Sequence, residues 1–276
     1  MKQSLSSKFQ RLKHIIKDLD SVVLAYSGGV DSSFLLSVCS EILAKDVLAV
    51  TADSASFPKR ELKEARAFAR ELKVPHLIIK TDELENEEYL KNPPNRCYYC
   101  KKELFSKLKE IKTRYNKRYI IDGSNLDDDA DFRPGNKAKK EFFVRSPLRE
   151  AYLRKDEIRD LCKKLSFSFW DKPSLACLAS RIPYHSKIEP GKLRRIEKAE
   201  NFLTSLGFRQ VRVRDFGSLA KIEVDRSKIK ELFASPQNRR VISFFKKLGF
   251  GHVAIDLEGY RTGSLNDGIN RLKIEV

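Results

Sequence analysis

Val22-Val23-Leu24-Ala25-Tyr26-Ser27-Gly28-Gly29-Val30-Asp31-Ser32 decides how the first half of this chain folds. An apolar run without alternation reads as a buried parallel strand. It ends at two glycines, after which Phe34, Leu35, Val38, Cys39 and Ile42 recur at helical spacing. The expectation is a strand, a tight turn and a helix. Adjacent glycines permit positive φ and let bare backbone approach an anion. A helix starting near Ser32 aims its free N–H groups and positive dipole end at the same spot. Ser27 and Ser32 add hydroxyl donors, Val30 opens the helix, and Asp31 can hold Mg2+ or cap it. A phosphate-binding loop is expected; the alternative is an ordinary glycine-rich turn. The string is neither the Lys-containing phosphate loop nor a GxGxxG turn.

Further strands follow at Val47–Ala52, His76–Lys80 and Tyr119–Asp122, with a helix marked by Leu62, Ala65, Ala69 and Leu72. This alternation predicts an α/β fold, a doubly wound parallel sheet with helices on both faces. Ligands then bind outside the carboxyl ends of the strands, here after Tyr26, Ala52, Lys80 and Asp122. Asp82–Arg96 is acidic, Pro-containing and aperiodic, so it reads as a loop or lid. A second loop-rich zone surrounds Pro173, Pro183 and Pro190. Beyond it the pattern becomes α+β: a helix over Lys192–Leu206, strands over Gln210–Arg214 and Ala220–Val224, a mostly helical stretch over Leu232–Leu248 and a strand over His252–Leu257. Two domains are expected, 1–187 and a smaller α+β domain over 188–276.

The 276 residues suit two domains, and 41% apolar content is enough for real cores. Fifty-five Lys and Arg against 38 Asp and Glu leave a net charge of +17. That excess suits a polyanionic partner, or reflects a lysine-rich surface. No apolar run approaches the roughly 20 residues of a membrane span. The N-terminal stretch is amphipathic and lacks the apolar core of a signal peptide, so a cytoplasmic protein with no membrane partner is expected.

Five cysteines, an odd number, argue against a disulfide framework. Cys39 and Cys162 lie on apolar helical stripes and read as packed thiols. Cys97 and Cys100 form a Cys-x-x-Cys pair after Pro93-Pro94-Asn95-Arg96. Cys177 lies in the loop-like Lys172–Arg181 segment. Three thiolates suit a 4Fe–4S cluster with one open iron. Zinc with His185 as a fourth ligand, or a redox pair with Cys177 apart, are the alternatives.

The Ser27–Ser32 string resembles the SGGxDS pyrophosphate-binding loop of the PP-loop ATP pyrophosphatases. These enzymes cleave ATP between the α- and β-phosphates and adenylate an oxygen of their substrate. Their fold is adenine nucleotide alpha hydrolase-like. Gly123-Ser124-Asn125 with Asp127 and Asp128 fits the second nucleotide-contacting segment, and Thr51-Ala52-Asp53 stands where adenosine would rest. Within that superfamily, Asn95–Lys101, Asp131-Phe132-Arg133-Pro134-Gly135, Arg145-Ser146-Pro147-Leu148, Lys172–Tyr184 and Leu257–Asn266 resemble the LarE family, over nearly the whole chain.

That resemblance implies an ATP-dependent sulfur transferase of nickel-pincer nucleotide synthesis. A carboxylate of pyridinium-3,5-biscarboxylic acid mononucleotide is adenylated, pyrophosphate leaves, and sulfur displaces AMP to give a thiocarboxylate. It implies ATP contacts from Ser27, Gly28, Gly29, Val30, Asp31, Ser32, Ala52, Asp53, Gly123, Asn125 and Arg133, with Mg2+ on Asp31. Cys97, Cys100 and Cys177 match the subgroup with a 4Fe–4S cluster that takes sulfide, rather than the members that sacrifice one cysteine. Arg212 and Arg214 alternate along a strand and so share a face. They form a phosphate clamp for the substrate, or an exposed basic strand face. Ser180 and Arg181 hold AMP or the acyl-adenylate. Glu200 and Glu223 match carboxylates that bind a divalent ion, or form surface salt bridges. A homo-oligomer is implied. An iron–sulfur tRNA thiolase is the rival, although no added RNA-binding module is visible; a nucleotide-binding regulator without chemistry is a more distant one.

Overall fold

The computed structural model describes residues 4–129, 134–174, 176–261 and 263–266. They fall into two compact units, one formed by residues up to 89 with 94–175, the other by 90–93 with the chain from 176 onward.

The first unit runs α1 Leu5–Leu19, β1 Val22–Ala25, α2 Val30–Leu43, β2 Val47–Asp53, α3 Lys59–Glu71, β3 His76–Lys80, α4 Glu87–Leu90, α5 Arg96–Arg114, β4 Tyr119–Asp122, α6 Gly135–Glu141, α7 Pro147–Glu150 and α8 Lys155–Lys164. The four strands form one parallel sheet in the order β3-β2-β1-β4. Alternation along each strand feeds two cores. Val22 and Leu24 join Leu12, Ile16 and Leu19 of α1, Phe34 and Leu35 of α2, and Ile158 and Leu161 of α8. Val23, Leu48, Val50 and Ile120 face Phe105, Leu108 and Ile111 of α5. The connections from β1 run towards β2 and β3, while β4 lies on the other side of β1, so the order reverses between β1 and β4. That switch point is where the carboxyl-end loops diverge and leave a crevice.

The expected doubly wound sheet is present, with three differences in detail. The segment expected as an aperiodic loop over 82–96 contains α4, and α5 starts at Arg96. The Cys-x-x-Cys pair therefore sits on the first turn of a 19-residue helix. The helical stretch expected over Leu232–Leu248 is two helices, α10 Ile229–Phe233 and α11 Gln237–Lys247. Pro236 between them has no N–H to continue the ladder and disfavours helical backbone at Ser235.

The second unit carries α9 Pro190–Ser205, a three-stranded sheet of β5 Val211–Phe216, β6 Leu219–Val224 and β7 His252–Ile255, and α10 and α11. β5 pairs antiparallel with β6, and β7 pairs parallel with β6. Ala199 and Leu203 of α9, Val241 and Phe245 of α11 and the strand residues Val211, Val213, Ile222 and Val224 share one core. This unit begins at 176, ahead of the expected division after 187. The reason is local. The turn Leu178–Arg181 is tied to α9 by an Arg181–Glu200 ion pair. The Asn92 amide donates to the carbonyls of Ile182, Pro183 and Ser186, which draws 90–93 into the same unit.

Candidate active site

In the first unit the turn after β1 is built for close approach. Gly28 has φ +69°, a left-handed conformation that favours glycine, and a Cβ there would stand 2.9 Å from the Ala65 Cβ. Gly29 is extended (φ −74°, ψ 164°) and caps α2, so only the first of the two glycines needs positive φ. The loop is closed by its own hydroxyls: Ser32 Oγ donates to the Gly29 carbonyl at 3.1 Å and lies 3.1 Å from Ser27 Oγ. The first N–H groups of α2 have no intrahelical partners, so the loop and helix together present an anion cradle.

The loop after β4 meets this cradle. A Cβ on Gly123 would come within 2.9 Å of the Ser32 backbone, so glycine lets the two loops touch. Asn125 then donates to Asp31 Oδ2 at 3.1 Å. Among the described residues no group hydrogen-bonds to the other oxygen, Oδ1, although it is buried. Burial, with a contribution from Asp128, raises the Asp31 pKa to about 6, against the opposing charge of Lys155 and the Asn125 hydrogen bond. A buried carboxylate oxygen without a donor, beside a phosphate cradle, is chemically suited to a divalent cation. The loop itself is held by Asp122, whose carboxylate accepts from Ser124 Oγ at 2.8 Å and Ser146 Oγ at 2.6 Å and faces Lys139 at 3.3 Å. The Arg145–Leu148 motif thus serves to brace β4. Ala52 and Asp53 end β2 beside β1, and Asp53 pairs with Lys59. Arg133 lies outside the described residues.

Sequence inspection passed over a cation here. Lys172 donates to the Gly28 carbonyl at 3.0 Å. Its flanking Pro173 and loop character hid it, and its position at the head of the Lys172–Tyr184 motif was the available signal.

The cysteines sort as expected by burial. Cys39 and Cys162 are buried; burial pushes the Cys39 thiol well above its ordinary value and Cys162 up to about 12, with Asp31 contributing at Cys162. Both are poor nucleophiles and ligands in that state. Cys97, Cys100 and Cys177 form no disulfide and are solvent-accessible to varying degrees. Cys97 and Cys100 are one turn apart on α5. Within either unit, among the described residues, no three His, Cys, Asp or Glu side chains group as a metal site. The donor set that suits a cluster draws on both units, two accessible thiols from one and one from the other.

In the second unit the chain around Cys177 is pinned by arginines. The Arg181 side chain is 2% exposed, and it donates to the carbonyls of Ala176 (2.9 Å) and Cys177 (3.0 Å) and to both oxygens of Glu200. Ser180 Oγ donates to the Cys177 carbonyl at 2.8 Å. Arg214 grips Glu223 through two 2.9 Å bonds and reaches the Ser180 carbonyl at 2.5 Å. Glu200 also accepts from the Val213 N–H at 3.0 Å. The divalent ion expected at Glu200 and Glu223 therefore finds both carboxylates already neutralised by guanidinium groups, in buried pairs rather than surface ones. Arg212 differs from its neighbours. Its guanidinium lies over the Tyr260 ring, 5.2 Å from the centroid, and donates to the Val211 carbonyl at 2.7 Å. Burial and the charge of Arg181 pull its pKa below the ordinary guanidinium value. Three buried arginines against two carboxylates leave net positive charge beside Cys177, which favours an anion there. Arg212 and Arg214 share a buried face, not an exposed basic one.

The fold and the loop define a PP-loop nucleotide enzyme. The NAD synthase family model matches residues 6–97, the stretch that holds the phosphate loop. An uncharacterized protein of Synechocystis sp. is 40% identical over 95% of this chain and 98% of its own length. Pyridinium-3,5-bisthiocarboxylic acid mononucleotide synthase of Lactiplantibacillus plantarum is 34% identical over 98% of both chains. An uncharacterized protein of Methanocaldococcus jannaschii is 34% identical over 95% of this chain and 96% of its own. The chain belongs to the LarE family of PP-loop ATP pyrophosphatases.

Proposed function

We propose that the protein converts carboxylates of pyridinium-3,5-biscarboxylic acid mononucleotide to thiocarboxylates at the expense of ATP. The observation that carries this is the accessible Cys177 held beside a desolvated arginine cluster, in a chain whose other unit carries a phosphate loop. The near full-length similarity to a pyridinium-3,5-bisthiocarboxylic acid mononucleotide synthase supports the choice of acceptor.

A free carboxylate has no leaving group for acyl transfer, and transfer of AMP to its oxygen supplies one. Backbone N–H groups of the Ser27–Ser32 loop and the α2 dipole take the charge of the departing pyrophosphate. Asp31, fixed by Asn125, supplies the open carboxylate oxygen for Mg2+, which offsets phosphate charge when bound. Arg212 takes the acceptor phosphate, with Arg214 fixed by Glu223 at its side. Arg181, saturated by its partners, holds the Cys177 backbone and stays in place during the reaction. Cys97, Cys100 and Cys177 would hold a 4Fe–4S cluster, which supplies a metal site where sulfide is kept as a nucleophile.

Two measurements test this. ATP–pyrophosphate exchange should depend on the pyridinium dicarboxylate mononucleotide; exchange indifferent to it would remove the acceptor assignment. Anaerobically prepared protein should contain about four irons per chain and turn over repeatedly with sulfide and ATP. Loss of the Cys177 sulfur as hydrogen sulfide in active protein would replace the cluster with a sacrificial cysteine.

A further inference from the structure

Lys172 has no part in the chemistry above, yet it touches the phosphate loop directly. Its ammonium donates to the Gly28 carbonyl at 3.0 Å and pairs with Glu61 at 2.6 Å and Glu64 at 2.7 Å, with its side chain 13% exposed. Burial of Glu64 opposes ionisation, but the hydrogen bonds and charges of Lys172 and Arg60 hold its pKa below the ordinary carboxylate value. Both carboxylates lie on α3, the helix whose Ala65 packs against Gly28.

The contact matters because of what lies across the peptide. The Gly28 carbonyl and the Gly29 N–H belong to one planar trans unit and point in opposite directions. Fixing the carbonyl fixes the N–H. Gly29 N–H makes a long 3.4 Å contact to Ser27 Oγ, so it remains able to donate strongly to a phosphate. The segment that carries Lys172 is itself tied down. Arg159 of α8 donates to the Trp170 carbonyl at 2.5 Å and the Lys172 carbonyl at 2.6 Å, and Lys155 donates to Ser174 Oγ at 2.7 Å. Lys155 and Arg159 also lower the pKa of Asp31 by their charge, so the cations that hold the segment stand near the metal-binding carboxylate.

We propose that Lys172 is a positioning residue of the phosphate loop: it orients the Gly28–Gly29 peptide so that the Gly29 N–H faces the nucleotide phosphates, and it links that peptide to segment 170–174. This rests on the nucleotide-binding role of the loop proposed above. Cys177 follows that segment in the sequence, so nucleotide binding at the loop is relayed to the chain leading to the cysteine.

The test uses the full-length protein with Mg2+ and α,β-methylene-ATP, an analogue that cannot be cleaved between the α- and β-phosphates. Binding is read by calorimetry and amide hydrogen exchange by mass spectrometry. In the wild type, the analogue should protect both 27–32 and 170–174. Lys172→Met should bind roughly tenfold more weakly and lose protection of 170–174 while keeping some at 27–32. Lys172→Arg should restore most of both. Glu64→Gln, at a partly exposed position, should speed exchange at 170–174 before nucleotide is added. Wild-type affinity and protection in Lys172→Met, or unchanged exchange in Glu64→Gln should the first variant not fold, would overturn the inference. Absence of analogue binding by the wild type would instead overturn the nucleotide role of the loop, and this inference with it.

Discussion

Asn125 donates its side-chain amide to the Asp31 carboxylate at 3.1 Å, joining the loops that leave β1 and β4. These are the two strands between which the sheet order reverses. The bond locks the crevice at the point where α/β sheets bind ligands. It also leaves one Asp31 oxygen buried and without a donor among the described residues. The fold thus holds an expensive group in readiness at the place where a metal–nucleotide complex enters.

Asp31→Asn should separate stability from activity. The folded pKa is raised from 3.8 to about 6 by burial. Between about pH 4 and 6 the folded state holds a proton that the unfolded state has released, so stability falls as pH rises through that window. Above it the full cost of the buried charge remains. The variant should therefore be more stable at pH 7, by up to ~3 kcal/mol, and lose Mg2+-dependent ATP–pyrophosphate exchange. Thermal melts at pH 5 and pH 7 beside exchange assays check both halves; a less stable variant at pH 7 would show the carboxylate to be satisfied in solution.

Arg212→Ala and Arg214→Ala should fail in different ways. Arg212 rests on the Tyr260 ring and the Val211 carbonyl. Its loss should weaken acceptor binding by roughly 10- to 100-fold through one charge-assisted bond, with little change in melting temperature. Arg214 compensates Glu223, which is 1% exposed. Its removal strands a buried charge and should cost about 3–5 kcal/mol of stability. Acceptor KM and thermal melts of the two variants, measured together, distinguish a phosphate ligand from a structural cation.

His76 gives the fold an acid limit. Thr51 Oγ1 donates to the Tyr26 carbonyl at 2.7 Å, so it accepts from His76 Nε2 at 2.8 Å. Burial, with Arg66 nearby, lowers the His76 pKa from 6.5 to about 4. As pH falls below 6.5 the unfolded chain takes a proton that the folded one refuses, and stability declines until about pH 4. His76→Gln retains a donor and does not titrate. Its melting temperature should fall less than that of the wild type between pH 7 and pH 5; parallel curves would place the acid sensitivity elsewhere.

The parallel sheet was legible because Val22–Tyr26 and Val47–Ala52 are apolar runs flanked by helical periods, and burial on both faces demands that pattern. The phosphate loop was legible because Gly28 sits where only a left-handed turn fits. The Cys97–Cys100 helix was not, since Phe105, Leu108 and Ile111 show their spacing only once the basic residues between them are set aside. The roles of Glu200, Glu223 and Lys172 were also hidden. A carboxylate at a family metal position and a carboxylate that grips an arginine are the same letter, and only the fold brings Arg181 and Arg214 to them.

One assay reaches the central claim directly. Anaerobic protein is given ATP, Mg2+, sulfide and pyridinium-3,5-biscarboxylic acid mononucleotide, and all products are resolved by mass spectrometry. The predicted result is a pyridinium product in which sulfur replaces a carboxylate oxygen, with one AMP and one pyrophosphate formed for each sulfur transferred. ADP and phosphate as the nucleotide products, or AMP formed while the pyridinium compound stays unchanged, would contradict it.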